Sequence, residues 1–162
     1  MSVTGETISL ILGGEGRIVN ILKPVIEVWD KHRQLKQRDQ EACGILIGSV
    51  DLEKDRIWIE FATGPMSEDK RWRSRFKLQA NGHQQVLNKF HDQYAGLMMY
   101  LGTWHSHPED NPSPSVLDVS EWNKIIKNNE ELTPNVFAIV GRKESSVFVG
   151  KNGEFIKLVT RG

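Results

Sequence analysis

Apolar residues recur at every second position in some stretches of the chain and at three- and four-residue steps in others, so the pattern predicts strands and helices in mixed order. Ile8, Leu10 and Leu12 alternate ahead of Gly13-Gly14-Glu15-Gly16, and Arg17 to Ile21 resumes an extended apolar pattern, which predicts a hairpin. No Gly-Lys-Ser/Thr follows those glycines, so they read as a turn and not as a phosphate loop. Pro24 suits the first turn of a helix, and Val25, Val28, Trp29, His32 and Leu35 predict an amphipathic helix over about 24–37. His32 lies near its apolar edge, where a packing role is expected.

Gly44 to Gly48 is a short, wholly apolar strand, expected at the centre of a sheet. Arg56 to Ala62 is a second strand, with Ile57, Ile59 and Phe61 on one face and Trp58 and Glu60 on the other, stopped by Gly64-Pro65. Lys70 to Leu78 reads as one strand with Arg71, Arg73, Arg75 and Lys77 on one face. Asn81 can cap a helix carrying Val86, Leu87, Phe90 and Tyr94. His83 and His91 ride on it without an acidic or histidine partner at ligand spacing and are expected at the surface. A strand over 97–104, a proline-rich loop over 108–114 and a helix over 116–128 follow, then strands over 136–140, 147–149 and 155–159. This order predicts an α/β (α+β) fold around one mixed sheet.

Composition narrows the function. The 162 residues suit one domain, and 21 Lys+Arg against 21 Asp+Glu argue against bulk nucleic-acid binding. The single cysteine, Cys43, excludes an internal disulfide and any zinc site built from several thiolates. Met1 to Glu6 lacks the basic start and apolar run of a secretory leader, and no apolar run approaches the ~18 residues of a membrane span. A cytoplasmic protein with no membrane partner is expected.

The chemistry concentrates in His105-Ser106-His107 and Ser115-Val116-Leu117-Asp118. Extended chain puts His105 and His107 on one face, so both imidazoles can reach one ion. Asp118, at the start of the next helix, can supply a carboxylate. Two imidazoles and a carboxylate hold Zn²⁺ with one position open, the catalytic pattern, although nitrogen and oxygen ligands also admit iron or cobalt. Ser115 and Asp118 equally form a capping box, and the cap and the metal compete for the Asp118 carboxylate. Glu109 and Asp110 either contact the residues around the metal or simply solvate the loop, and the solvated loop is expected. Trp104 is expected in the core, on the face opposite His105. Cys43, in an apolar strand, reads as packing and not as a nucleophile.

His-x-His, seven residues, Ser, two residues, Asp resembles the signature of the JAMM (MPN+) metalloproteases at all four positions. Glu41-Ala42-Cys43-Gly44-Ile45-Leu46-Ile47-Gly48 resembles the upstream segment that carries the family's glutamate. The resemblance covers most of the chain and implies a single JAMM/MPN-like domain over 1–162, a curved mixed sheet flanked by helices. It implies one zinc ion on His105, His107 and Asp118, Glu41 as the base that takes a proton from water and passes it to the leaving amine, and Ser115 as the oxyanion donor. The implied activity is hydrolysis of an amide or isopeptide bond after the C-terminal tail of a ubiquitin-like protein. The Thr63-Gly64-Pro65 turn, the arginine-rich strand and the His-x-His loop are similar to the peptidases of bacterial type II CBASS anti-phage operons. Those remove a cGAS-like nucleotidyltransferase (CD-NTase) from conjugates made by an E1–E2-like partner. A zinc-holding binding module without catalysis, or a hydrolase acting on another ubiquitin-like or sulfur-carrier tail, is the alternative. The face of Arg71, Arg73, Arg75 and Lys77 reads either as a solvated edge strand or as a dock for an acidic partner.

Overall fold

The hairpin anticipated near the start is present in its strands. Ile8–Ile11 (β1) pairs antiparallel with Ile18–Ile21 (β2), Ile8 opposite Ile21. The glycine turn between them and Met1 to Glu6 lie outside the described residues, which are 8–11, 17–151 and 153–160 of this computed structural model. The helix Lys23–Lys31 (α1) follows, then the strands Cys43–Asp51 (β3) and Arg56–Ala62 (β4), the short strands Lys70–Trp72 (β5) and Arg75–Lys77 (β6), and the helix Ala80–Gln93 (α2). Met99–Ser106 (β7), the helix Val116–Asn128 (α3), Val136–Val140 (β8), Ser145–Lys151 (β9), Glu154–Lys157 (β10) and Val159–Thr160 (β11) complete the chain.

Among the described residues one nine-stranded mixed sheet runs in the order β10-β9-β8-β7-β3-β4-β2-β1-β11. The pairs β2–β4 and β7–β8 are parallel and the rest are antiparallel. β10 and β11 stand at opposite ends of this order, yet Leu158 alone separates them. The sheet therefore curls until its edges nearly meet. The single strand expected over 155–159 is split at that point: Leu158 turns into the core, and its N–H donates to the Val147 carbonyl at 2.8 Å.

The two faces of the curl carry different cores. Leu46, Ile57, Ile59, Leu101, Trp104 and Ala138 meet Val25 and Trp29 of α1 on one face. On the other, α3 covers Phe137, Ile139 and Phe148 through Trp122, and α2 covers Ile45, Ile47 and Phe61. Trp104 thus sits in the core opposite His105, as expected. Phe61 does not share a face with Ile57 and Ile59. A bulge at Glu60, where Ile47 pairs with Phe61 but Gly48 pairs with Ile59, switches the parity of the strand, and Phe61 stacks on Phe90 at 4.2 Å. A second register shift on β7 precedes Gly102, where a Cβ would collide with the Val136 carbonyl.

Three expected elements differ. The helix over 24–37 stops at Lys31 because Gln34 is drawn inward. Its amide donates to the carbonyls of Asp39 (3.1 Å) and Arg73 (2.8 Å) and accepts from Ser106 Oγ (2.7 Å), which leaves Leu35 exposed. The strand over 70–78 is a hairpin, β5 against β6, with Arg71 opposite Phe76. Asn81 lies inside α2 and does not cap it; the N-cap position is Gln79, no side chain caps the first turn, and Asp69 Oδ1 instead anchors the Gln79 amide at 2.7 Å. No helix of the described residues is long and apolar enough to cross a membrane.

Candidate active site

Ser106 sets the site by pointing away from it. Its hydroxyl oxygen accepts from the Ala42 amide (2.8 Å) and its proton goes to Gln34, while its own N–H donates to the Ala42 carbonyl (3.0 Å). With Cys43 opposite His105 in the antiparallel β3–β7 pair, continuing the register puts Glu41 across from His107. The β5–β6 hairpin then fixes the Glu41 backbone. Glu41 N–H donates to the Trp72 carbonyl at 2.7 Å, and Arg71 Nε donates to the Glu41 carbonyl at 2.8 Å. Asp118 arrives from the first turn of α3.

His105, His107, Glu41 and Asp118 are all buried. The two Nε2 atoms face each other at 3.1 Å. Asp118 Oδ1 lies 3.2 Å from His105 Nε2, and its Oδ2 lies 3.0 Å from His107 Nε2. Ligand atoms of Glu41, His105 and His107 fall within 4.8 Å of one another. Ligands at 2.0–2.2 Å from a tetrahedral zinc stand roughly 3.3 Å apart. The two imidazoles and Asp118 therefore have the spacing of a tetrahedron's edges, and the donor set fits a divalent metal. The cap and the ion do not compete for Asp118. Its Oδ2 accepts from the Ser115 amide (2.9 Å) while both oxygens face the imidazoles, and Ser115 Oγ accepts from the Asp118 amide (3.0 Å). The cap aims the carboxylate.

Electrostatics favours the deprotonated form at two of the four groups, Asp118 and His105, and the protonated form at the other two. Burial alone would raise Asp118, but hydrogen bonds from both histidines and from Ser115 hold it well below the usual carboxylate range. Burial lowers His105 despite Asp118 beside it. His107 is opposite in sign: burial works against its charge, but Asp118 and Glu109 outweigh burial and lift it to about 8. Burial, with the charges of Asp118 and Glu109, raises Glu41 to about 8 against the opposing pull of His107. A carboxyl poised close to neutral is suited to exchange protons with water.

Several functional contacts were not legible in the pattern. Glu109 does not face solvent alone: its Oε1 lies 2.8 Å from His107 Nδ1, the carboxylate–histidine arrangement that fixes which nitrogen a metal would meet. Its position two residues after His107 was the available signal. Phe76 stacks on the His105 ring at 4.9 Å, delivered by the hairpin. His83 is buried and not at the surface; its ring meets Thr63 Oγ1 at 2.6 Å and Asp69 Oδ2 at 2.7 Å. Its partners lie 20 and 14 residues away, which helix spacing cannot reveal. His91 is exposed, as expected. Cys43 is buried, and burial together with the Asp69 charge pushes its thiol up to about 12, which fits a packing role. The basic residues do not form one face. Arg71 holds Glu41, Arg73 Nε donates to the Gln37 carbonyl (2.6 Å), and Arg75 lies over the Trp72 ring at 5.2 Å.

A groove of ≈ 1390 Å³ runs between α2 and α3 over the outer face of β7, past Tyr100 and Thr103, and reaches Glu41, Ser115 and Asp118. Arg75 and Lys77 line it.

Residues 26–151 match the sequence family described as prokaryotic homologs of the JAB domain. A Pseudomonas aeruginosa protein named CD-NTase/cGAS isopeptidase is 38% identical, over 77% of this chain and 78% of its own length. Proteins of the same name from Escherichia coli and Vibrio cholerae are each 34% identical, covering 82% and 78% of this chain and 81% and 78% of their own. The solution structure of a Desulfitobacterium hafniense protein shares the fold with a TM-score of 0.56 at 22% identity, over 83% of this chain and 85% of that one.

Proposed function

Since the chain belongs to the prokaryotic JAB-domain family, we propose that it is a zinc-dependent isopeptidase of JAMM type, a single domain over 1–162. It cleaves the amide bond after the C-terminal tail of a CD-NTase, a cGAS-like nucleotidyltransferase, and releases it from conjugates made by an E1–E2-like partner. It acts in the cytoplasm, in antiviral defence of the CBASS kind. The relatives' shared name supports the substrate class. The observation that carries the chemistry is a buried carboxyl near neutral, Glu41, within 4.8 Å of two imidazoles that share Asp118.

His105, His107 and Asp118 would hold the ion. When bound, zinc supplies a Lewis acid for the scissile carbonyl and lowers the pKa of water from 15.7 towards about 7. Glu41 takes the proton of the attacking water and returns it to the leaving amine, so the amine departs neutral. Ser115 Oγ accepts from the Asp118 amide, which leaves the hydroxyl proton free to donate to the oxyanion from the lining of the groove. The groove between α2 and α3 receives the tail.

The test uses zinc-loaded wild type and Glu41→Ala with a CD-NTase tail fused to a reporter protein. Wild type is expected to cleave at the tail's last residue, and Glu41→Ala to keep its zinc and lose about 10²–10⁴-fold in rate. Equal rates would reject Glu41 as the base. Tight zinc with no cleavage of any tail would point instead to a binding module.

A further inference from the structure

A second cavity, of ≈ 440 Å³, opens at the carboxyl end of α1, away from the groove. Lys31, His32, Arg33, Arg38, Asp39 and Arg71 line it. These come from three separate stretches: the end of α1, the segment before β3, and β5. A lysine in the last turn of a helix is accounted for by the helix dipole. Arg38 and Arg71 lie outside that helix and have no such explanation.

The arginines differ in how they are committed. Arg33 is spent on internal partners, with Nε on Asp30 (2.9 Å) and Nη1 on the Gly141 carbonyl (2.7 Å). Arg71 gives only Nε, to the Glu41 carbonyl. That bond fixes the plane of its guanidinium and leaves the two-pronged edge unengaged among the described residues. Lys31 and Arg38 make no side-chain hydrogen bond or ion pair among the described residues. Asp39 within the cavity and Asp30 on Arg33 answer two of the four fixed cations, so two positive charges stay unbalanced. His32 registers the excess: burial first, then the charges of Arg71 and Lys31, lower its pKa.

We propose that this cavity is a binding site for a small phosphate-bearing anion, gripped in bidentate fashion by the free edge of Arg71 and closed over by Arg38 and Lys31. A planar fork held from behind is the donor geometry that matches phosphate oxygens. No Phe, Tyr or Trp lines the cavity, so the recognised chemistry is the phosphoryl group and not a stacked base. The site is separate from the metal-ligand cluster but touches its support, because the guanidinium that would hold the anion also holds the Glu41 carbonyl.

Calorimetric titration of the metal-loaded chain with inorganic phosphate at low ionic strength tests this. Wild type is expected to bind saturably, and the double variant Lys31→Gln/Arg38→Gln to bind at least about tenfold more weakly with unchanged metal content. Asp118→Ala, which removes a metal ligand, is expected to keep phosphate binding. Adenosine monophosphate in place of phosphate separates the sources. Equal affinity assigns the site to the free anion, and tighter binding assigns it to a phosphoryl group on a larger molecule. The proposal is overturned if wild type binds no phosphate at millimolar concentration, if the double variant binds as wild type does, or if Asp118→Ala abolishes binding.

Discussion

Two buried clusters in this protein have nearly the same ingredients and opposite logic. Asp69, His83 and Thr63 form one; Asp118, His105 and His107 form the other. In the first, each polar atom has a partner. Asp69 accepts from the amides of Gln79 and Met66 and meets His83 Nε2, while His83 Nδ1 meets Thr63 Oγ1, which in turn accepts from the Ile45 amide. In the second, two imidazole nitrogens confront each other at 3.1 Å over one carboxylate. The first is a finished polar knot that ties the 63–69 loop to α2 and β3. The second leaves two nitrogen lone pairs and a carboxylate converging on one point, and a cation there satisfies all three. A buried histidine beside an aspartate is therefore no sign of a metal site by itself; the saturation of its atoms is what differs.

Removing the carboxylate from each cluster gives the sharpest contrast. Asp118→Ala is expected to empty the metal site and abolish cleavage while the fold persists. Asp69→Ala is expected to retain stoichiometric metal when folded but to lose roughly 1–3 kcal/mol of stability, because it leaves the buried His83 ring and the Met66 and Gln79 amides without their acceptor. Metal analysis and chemical denaturation measure both. If Asp69→Ala lost its metal while still folded, the two clusters would be one unit.

A smaller effect is expected one bond further out. Glu109→Gln keeps the shape at His107 Nδ1 but loses the charge, and is expected to weaken metal binding about 10–100-fold. A chelator competition reads it, and unchanged affinity would mean that Glu109 merely faces solvent.

The mildest probe is pH, applied to the metal-free protein. Burial raises the Glu41 carboxyl from its ordinary 4.5 to about 8, so the folded state loses stability as pH rises through that interval. His107, raised from 6.5 to about 8, contributes stability that is complete below about 6.5 and lost as pH rises through about 8. Both act in one direction, so the metal-free Tm is expected to fall by a few degrees between about pH 6 and pH 9. Asp69, shifted down from 3.8, is silent across that window. Metal binding displaces the His107 proton, so the gap in Tm between loaded and metal-free protein should widen with pH. A metal-free Tm that climbs over the same range would contradict these assignments.

What the sequence made legible was local. The Ser115 capping box, the two-residue spacing of His105 and His107 and the apolar run of β3 are read within a few residues, and each stands where expected. The failures involve distant partners. Nothing near Ser74 announces that the alternating strand folds back on itself, because Gln34 stabilises the turn by donating to the Arg73 carbonyl. His83 reads as exposed on helical spacing because its partners, Thr63 and Asp69, come from another segment, and Asp69 also anchors the Gln79 amide, so that α2 begins ahead of Asn81. Phe61 changed faces through one inserted residue, a shift that a period of two cannot register.

The curl of the sheet has a consequence for how the chain must fold. Residues 154–160 zip β9 on one side and β1 on the other, so they are the clasp of the barrel-like sheet. A nascent chain that has not yet reached them carries two unpaired strand edges, one near its beginning and one late in synthesis. Closure then awaits the longest-range strand pairing among the described residues, between Thr160 and Leu10. During synthesis those open edges are where this protein is most exposed to pairing with the wrong neighbour.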